Sequence, residues 1–204
     1  MAMPAGLLDV SRETLAKLEQ FADLLGKWNA RINLVAPSTL PDLWSRHILD
    51  SAQIFHHAPD DARHWVDLGS GGGLPGVVCA ILAYEARPEC RFTLIESDKR
   101  KSAFLMTAIR ELGVSAKVLT ERVEQAPPQA ADVVSARALA PLPALLALVA
   151  RHLAENGTAL LPKGKNHSAE LAAARRGWHF DHVAIESQTD PLARVLILKE
   201  IMRV

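Results

Sequence analysis

Apolar positions fall into two helical stretches before any strand pattern begins. Leu15, Leu18, Ala22 and Leu25 recur at the spacing of one helix face, which predicts a helix over about 15–25. A second stretch, from about Leu40 to Phe55, sets Leu43, Trp44, His47, Ile48 and Ser51 along one side. Between them lies Trp28-Asn-Ala-Arg-Ile-Asn-Leu-Val35, followed by a Pro-Ser break. Ala58-Pro-Asp-Asp-Ala62 has the composition of a boundary. Residues 1–60 therefore read as a helical extension packed on a main domain of residues 61–204.

Beyond His64 the period changes. Trp65-Val-Asp-Leu68 is a short apolar run ending at glycines and predicts a buried strand. A helix over about Leu74–Tyr84 follows, then a strand at Arg91–Ile95, a helix at Lys99–Leu112 and a strand at Ala116–Leu119. A fourth strand at Asp132–Ser135 leads to a helix over Leu142–Leu153, and a fifth at Gly157–Leu161 to a helix over about Ser168–Arg176. Trp178–Ile185 and Ala193–Ile201 read as two strands around a turn at Thr189-Asp-Pro191. Alternating strands and helices imply right-handed βαβ units and a parallel sheet covered on both faces. A short connection joins only antiparallel neighbours, so the sheet should end in an antiparallel hairpin. A doubly wound, Rossmann-like α/β sheet with that ending resembles the class I methyltransferase architecture.

Composition narrows the function little. About half of the 204 residues are hydrophobic and 23% are charged, an ordinary globular balance. The formal net charge is zero, which argues against wholesale coating of nucleic acid or of an anionic membrane but leaves room for a local basic patch. The two cysteines, Cys79 and Cys90, form no metal-spaced cluster and read as small core residues in a reducing compartment, so no metal is expected. No signal-peptide pattern opens the chain, and the longest apolar run, Leu139–Val149, contains two prolines and is too short to span a bilayer. A cytoplasmic protein with no membrane contact is expected.

The chemistry concentrates at Asp67-Leu-Gly-Ser-Gly-Gly-Gly-Leu-Pro-Gly76. In an open α/β sheet the ligand sits beyond the carboxyl ends of the strands, and this turn follows the first strand. Gly69, Gly71 and Gly73 allow positive φ and close approach of a ligand to the backbone. Asp67 at the strand end would repel a pyrophosphate but suits a cationic cofactor or its amino group. Glu96 ends the second strand, where an acid can accept the hydroxyls of an adenosine ribose. Together these favour S-adenosylmethionine. A nicotinamide dinucleotide is the rival reading, opposed by Asp67, by the terminal hairpin and by the lack of a hydride-transfer partner.

The turn after the fourth strand, where the methyl acceptor of such a fold sits, is Ser135-Ala-Arg-Ala138. It offers no cysteine to activate a pyrimidine ring and no Asp/Asn-Pro-Pro-aromatic turn for an exocyclic amine. A ring nitrogen with a free lone pair, such as guanine N7, needs neither. Arg137 is the candidate for positioning such a substrate, through O6 or a phosphate.

These segments, taken in order, resemble the GidB/RsmG family of bacterial small-subunit ribosomal RNA guanine-N7 methyltransferases. The matching stretches are Trp28–Leu34, Arg46-His-Ile-Leu-Asp-Ser51, the glycine loop, Leu94-Ile-Glu-Ser97 with Lys101 and Phe104-Leu105, Arg122-Val-Glu124, Ser135–Ala138 and Lys163-Gly164. The resemblance implies methyl transfer from S-adenosylmethionine to N7 of one guanine in 16S ribosomal RNA. It carries cofactor contacts onto Gly69 and Leu74, onto Val123 and Glu124 beside the adenine, and onto Arg137, with Glu96 as the ribose acid. The partner is then small-subunit ribosomal RNA or an assembled particle, and a monomer is expected. Candidate RNA contacts are Arg46, His47, Lys163 and Lys165. Arg46 and Asp50 could equally form a plain ion pair one helical turn apart, and His47 could be a packing residue. Residues alone leave open a methyltransferase acting on a small molecule or protein, and a non-catalytic nucleotide- or ribosome-binding module.

Overall fold

A computed structural model describes residues 9–204. The first eight residues of the expected extension, and with them the start of the chain read as lacking a signal peptide, lie outside the described residues.

Helix α1 (Arg12–Asn29) begins at Ser11, whose side chain accepts the Thr14 N–H, and ends at Asn29. It runs farther in both directions than its apolar spacing suggests. Trp28 therefore lies on the helix, where it packs on Phe104 at 5.7 Å between centroids. Asn29 Oδ1 then accepts the Leu34 and Val35 N–H groups and folds the chain back.

The expected second helix is helical throughout but barely α. It comprises 3-10 turns at Pro37–Asp42, a π-helical turn at Trp44–Leu49, a single α turn (α2, Asp50–Ala52) and more 3-10 turns at Gln53–His57. Pro37 and Pro41 withhold backbone donors from a regular ladder. Wide and tight turns of this kind are frequent where side chains must be aimed.

The remaining elements are β1 (His64–Leu68), α3 (Gly76–Ala86), β2 (Arg91–Ile95), α4 (Lys99–Leu112), β3 (Ala116–Leu119), β4 (Ala131–Ala136), α5 (Leu142–His152), β5 (Leu153–Lys163), α6 (His167–Ala174), β6 (Trp178–Glu186) and β7 (Arg194–Arg203). They form one seven-stranded sheet in the order β3-β2-β1-β4-β5-β7-β6. β1 through β5 pair in parallel, whereas β7 runs antiparallel to both β5 and β6. The sheet is thus doubly wound, and it ends in the antiparallel hairpin that the sequence predicts.

Alternation along β1 feeds two cores. Trp65 joins the cluster built with α1, α3 and α4, stacking on Phe92 at 5.4 Å and on Phe55 at 6.3 Å. Val66 and Leu68 join the cluster under α5 and α6. Phe21, Leu25, Ile48 and Ile54, all from the segment before β1, are fully buried in the first cluster. The sheet order reverses at β1, between β2 and β4, which opens a crevice beyond the strand ends there.

Candidate functional site

The glycine turn caps that crevice. Gly69, Gly71 and Gly73 all hold positive φ, at +64°, +52° and +77°. Their tasks differ. Gly71 meets nothing but the Gly69 carbonyl, so its Cα faces open space. A Cβ on Gly73 would sit 2.7 Å from Val77 and 3.1 Å from Phe21, which makes Gly73 a packing position. Leu74 is likewise buried in the core, so a ligand could reach only its backbone.

Asp67 departs from expectation. It is fully buried beneath the turn rather than on the cavity wall. Its Oδ1 accepts the Ser135 hydroxyl at 2.7 Å, and its Oδ2 faces the Gly76 N–H at 3.3 Å. Ser135 in turn accepts the Trp65 indole N–H at 2.9 Å. Burial pushes the Asp67 carboxyl up to about 6, partly offset by these hydrogen bonds. Asp67 therefore holds the turn from below, and any action on a cation is through the field of its charge.

Glu96 does face the cavity. Its Oε2 accepts the Gly71 N–H at 2.8 Å, and its Oε1 accepts the Asp98 N–H at 2.8 Å. Each oxygen retains acceptor capacity for a further donor. A cavity of about 300 Å³ lies between Gly69, Gly71, Glu96, Val123, Glu124 and Leu139. Val123 is fixed from behind, because the buried His152 Nε2 donates to its carbonyl at 2.9 Å. Lys101 and Arg122 also line this cavity. Both belong to stretches that carry the resemblance, but neither is among the cofactor contacts that it implies.

A larger cleft, about 810 Å³, lies on the other side of Ala138 and Leu139, which line both spaces. Ala138 holds a φ of +54°, and Leu139 lies over Gly69, whose added Cβ would meet it at 2.6 Å. Arg46, Asp50, Arg137, Lys163, Glu170, Asp190 and Arg194 line the cleft. Arg137 Nη1 donates to Asp50 Oδ2 at 3.0 Å. The ion pair thought possible between Arg46 and Asp50 is replaced by this one, and the Arg46 side chain stays exposed. Lys163 Nζ donates to the Ala140 carbonyl and to Glu170, both at 2.9 Å, while Glu170 also accepts the Leu142 N–H at the start of α5. Lys163 is thus engaged in structure, whereas Lys165 is exposed. Arg194 pairs with Glu186 at 3.1 Å.

The bare cysteine chemistry is closed off. Cys79 and Cys90 are buried free thiols, and burial raises both, Cys90 to about 11. Among the described residues no group of three or more His, Cys, Asp or Glu could hold a metal, and no helix is long and apolar enough to cross a membrane.

Residues 14–194 match the GidB family model, described as rRNA small subunit methyltransferase G. The chain belongs to the GidB family. Its curated relatives extend the match to nearly the whole chain. It is 54% identical over 197 residues to the ribosomal RNA small subunit methyltransferase G of Cereibacter sphaeroides, covering 97% of this chain and 96% of that protein. It is 52% identical to the protein of the same name from Ruegeria pomeroyi over the full length of both. Solved structures match in fold at low identity. An S-adenosylmethionine-dependent methyltransferase from Aquifex aeolicus has a TM-score of 0.59 at 12% identity, covering 87% of this chain and 97% of that one. The T. thermophilus 16S rRNA N2 G1207 methyltransferase, solved with its cofactor and guanosine, has a TM-score of 0.52 at 18% identity, covering 74% and 38%. The fold is thus the class I methyltransferase fold. As a member of the GidB family the chain is a methyltransferase whose methyl donor is S-adenosylmethionine.

The cavity fits that donor. It combines an open, positive-φ glycine at Gly71, a carboxylate at Glu96 with acceptor capacity to spare, and the apolar Val123, Leu139 and Leu148.

Proposed function

We propose that the chain methylates N7 of one guanine in small-subunit ribosomal RNA. One observation carries this reading: the cofactor cavity meets the large cleft at Ala138–Leu139, and that junction presents a guanidinium but no free base or nucleophile. No cysteine lines the cleft. Asp50 is held by Arg137 and Glu170 by Lys163 and the Leu142 N–H, while Asp190 lies exposed between β6 and β7 with one oxygen accepting the Leu192 N–H.

When bound, S-adenosylmethionine supplies a methyl that N7 takes with its lone pair as the carbon–sulfur bond breaks, with no proton released. The protein's share is therefore positioning. Glu96 would accept the ribose hydroxyls, Val123 and Glu124 would bound the adenine, and Gly69 and Gly71 would leave room for the amino-acid end. Arg137 would donate to O6 and leave N7 free to react. The segment before β1 acts in this reading as an extension packed on the main domain that completes the acceptor side.

Paired cations explain how a neutral chain can serve RNA. Arg137, Lys163 and Arg194 are each ion-paired, which leaves Arg46 and Lys165 as the exposed, unpaired cations of this rim among the described residues. Phosphate neutralisation supplies most non-specific RNA affinity, and two free charges supply little of it. This favours an assembled particle over naked RNA as substrate, met by a cytoplasmic monomer. The test offers labelled methyl donor to small subunits, to naked ribosomal RNA and to total protein, and maps the label. Label at N7 of one guanine, strongest with small subunits, is the expected result. Label confined to protein or metabolites, or carried on an exocyclic amine, would overturn the proposal.

A further inference from the structure

The segment before β1 does more than cover the sheet: it grips the one arginine at the acceptor junction. Arg137 Nη2 lies 3.0 Å from His47 Nδ1. A guanidinium only donates, so Nδ1 must be the unprotonated nitrogen and Nε2 must carry the hydrogen. That hydrogen points to Thr39 Oγ1 at 2.7 Å, and the Thr39 hydroxyl passes its own hydrogen to the Ala36 carbonyl at 2.7 Å. The tautomer is thus fixed along a directed chain. Desolvation, with Arg137 alongside, lowers the His47 pKa to about 4, so the ring is neutral at physiological pH.

Asp50 is the hub of the same network. While Oδ2 accepts Arg137, Oδ1 accepts the Thr189 hydroxyl at 2.9 Å and the Gln53 amide at 2.9 Å. Gln53, itself buried, also donates to Ser187 Oγ and accepts the Gln188 N–H. Three distant stretches, 36–53, 137 and 187–189, therefore meet at one guanidinium. These contacts occupy Nη1 and Nη2, and Nε has no partner among the described residues.

Resting on the reading of Arg137 as the acceptor contact, we infer that His47 and Asp50 are positioning residues that fix the Arg137 guanidinium so that its remaining donors meet the acceptor base. An unclamped arginine side chain samples many rotamers, and holding it beforehand removes that ordering cost from the transition state. The π-helical turn earns its place here, because it and the α turn behind it deliver His47 and Asp50 to one side chain.

The experiment compares Asp50→Asn, His47→Asn, His47→Gln and Arg137→Ala in the full chain, with small subunits as substrate. Asn places an amide oxygen near the position of Nδ1, whereas Gln places it near Nε2. Expected results are a fall in kcat of at least tenfold for Asp50→Asn and His47→Gln, and recovery to within about threefold of wild type for His47→Asn. Calorimetric affinity for S-adenosylmethionine should stay within about twofold in the His47 and Asp50 variants. Equal loss in His47→Asn and His47→Gln, wild-type kcat in Asp50→Asn, or loss of donor affinity in parallel with kcat would overturn the inference. Arg137→Ala separates the two levels. If it methylates at the wild-type rate, the acceptor reading of Arg137 fails with the inference. If it is inactive while Asp50→Asn and His47→Gln remain fully active, only the positioning role fails.

Discussion

Replacing Glu96 with glutamine changes one oxygen to an amide nitrogen and almost nothing else in shape. In the native site the two carboxylate oxygens accept the Gly71 and Asp98 N–H groups, each at 2.8 Å, in a side chain only 8% exposed. Glutamine can serve one of these donors and must turn its own NH2 toward the other. A hydrogen bond to a charged group is worth about 1.5–3 kcal/mol, so the folded state should lose about that much. The same carboxylate is the expected acceptor for the ribose hydroxyls, at a similar value for each contact. Loss of one such contact corresponds to a weakening of roughly 10- to 100-fold. Weakened donor binding alone does not separate a ribose contact from a slackened glycine turn. The separating assay titrates wild type and Glu96→Gln calorimetrically with S-adenosylmethionine and with its 2′-deoxyribose analogue. Wild type should prefer the natural donor by at least tenfold, and the variant should lose most of that preference. If both proteins discriminate equally, Glu96 merely staples the turn and its assignment to the ribose is wrong.

Three further expectations follow from the geometry. Gly76→Ala would place a Cβ 2.5 Å from Leu94, 2.7 Å from Asp67 Oδ2 and 2.8 Å from Asp67 Cβ, so overpacking should cost about 1–3 kcal/mol, read as a lowered denaturation midpoint; an unchanged midpoint would show that α3 shifts freely. Asp67 has a folded pKa of about 6 against an ordinary 3.8, so the folded state binds the extra proton between these values. Its contribution is present below pH 3.8 and is lost as pH rises through 6, about 3 kcal/mol in all, and Asp67→Asn should remove that part of the slope in stability against pH. Lys163→Ala should lower stability by about 1–3 kcal/mol by leaving Glu170 without its ion-pair partner, while Arg46→Ala and Lys165→Ala should leave stability unchanged and flatten the salt dependence of RNA binding; the reverse pattern would make Lys163 the phosphate contact.

Local signals account for what the sequence reveals. Helix α4 is read to the residue because Asp98 accepts the Arg100 and Lys101 N–H groups at one end and Gly113, at φ +64°, closes the other. β2 and β3 are read as well, from short runs of branched and aromatic residues. β5 is read short, since Glu155-Asn-Gly157 looks like a turn; its first residue pairs with Ala131 on the far side of a register shift in β4. The segment 37–57 defeats periodicity for a different reason. Its turns are set by what His47, Asp50 and Gln53 must reach, and the partners lie up to 139 residues away. Thr189-Asp-Pro191 reads as a turn from sequence, and nothing local reveals that Thr189 bonds Asp50.

The glycine loop shows where motif and mechanism part. Its glycines look equivalent in sequence, yet of them only Gly69 and Gly71 line the cavity proposed for the cofactor. A Cβ on Gly72 would stand 3.3 Å from Leu25, from the Leu34 side chain and from the Leu34 carbonyl, and one on Gly73 would approach Phe21. Leu25, Leu34 and Phe21 all come from the segment before β1. Two of the glycines are therefore small so that this segment can lie directly against the loop. The same segment supplies His47 and Asp50 to Arg137 across the junction. A displacement of α1 would thus be felt at the donor cavity, through Gly72 and Gly73. A displacement of the turns that follow it would be felt at the cleft proposed for the acceptor, through Arg137. Close packing transmits such shifts rather than absorbing them. The segment that a sequence reading sets apart as an extension accordingly packs on the loop beside the cavity proposed for the donor and lines the cleft proposed for the acceptor.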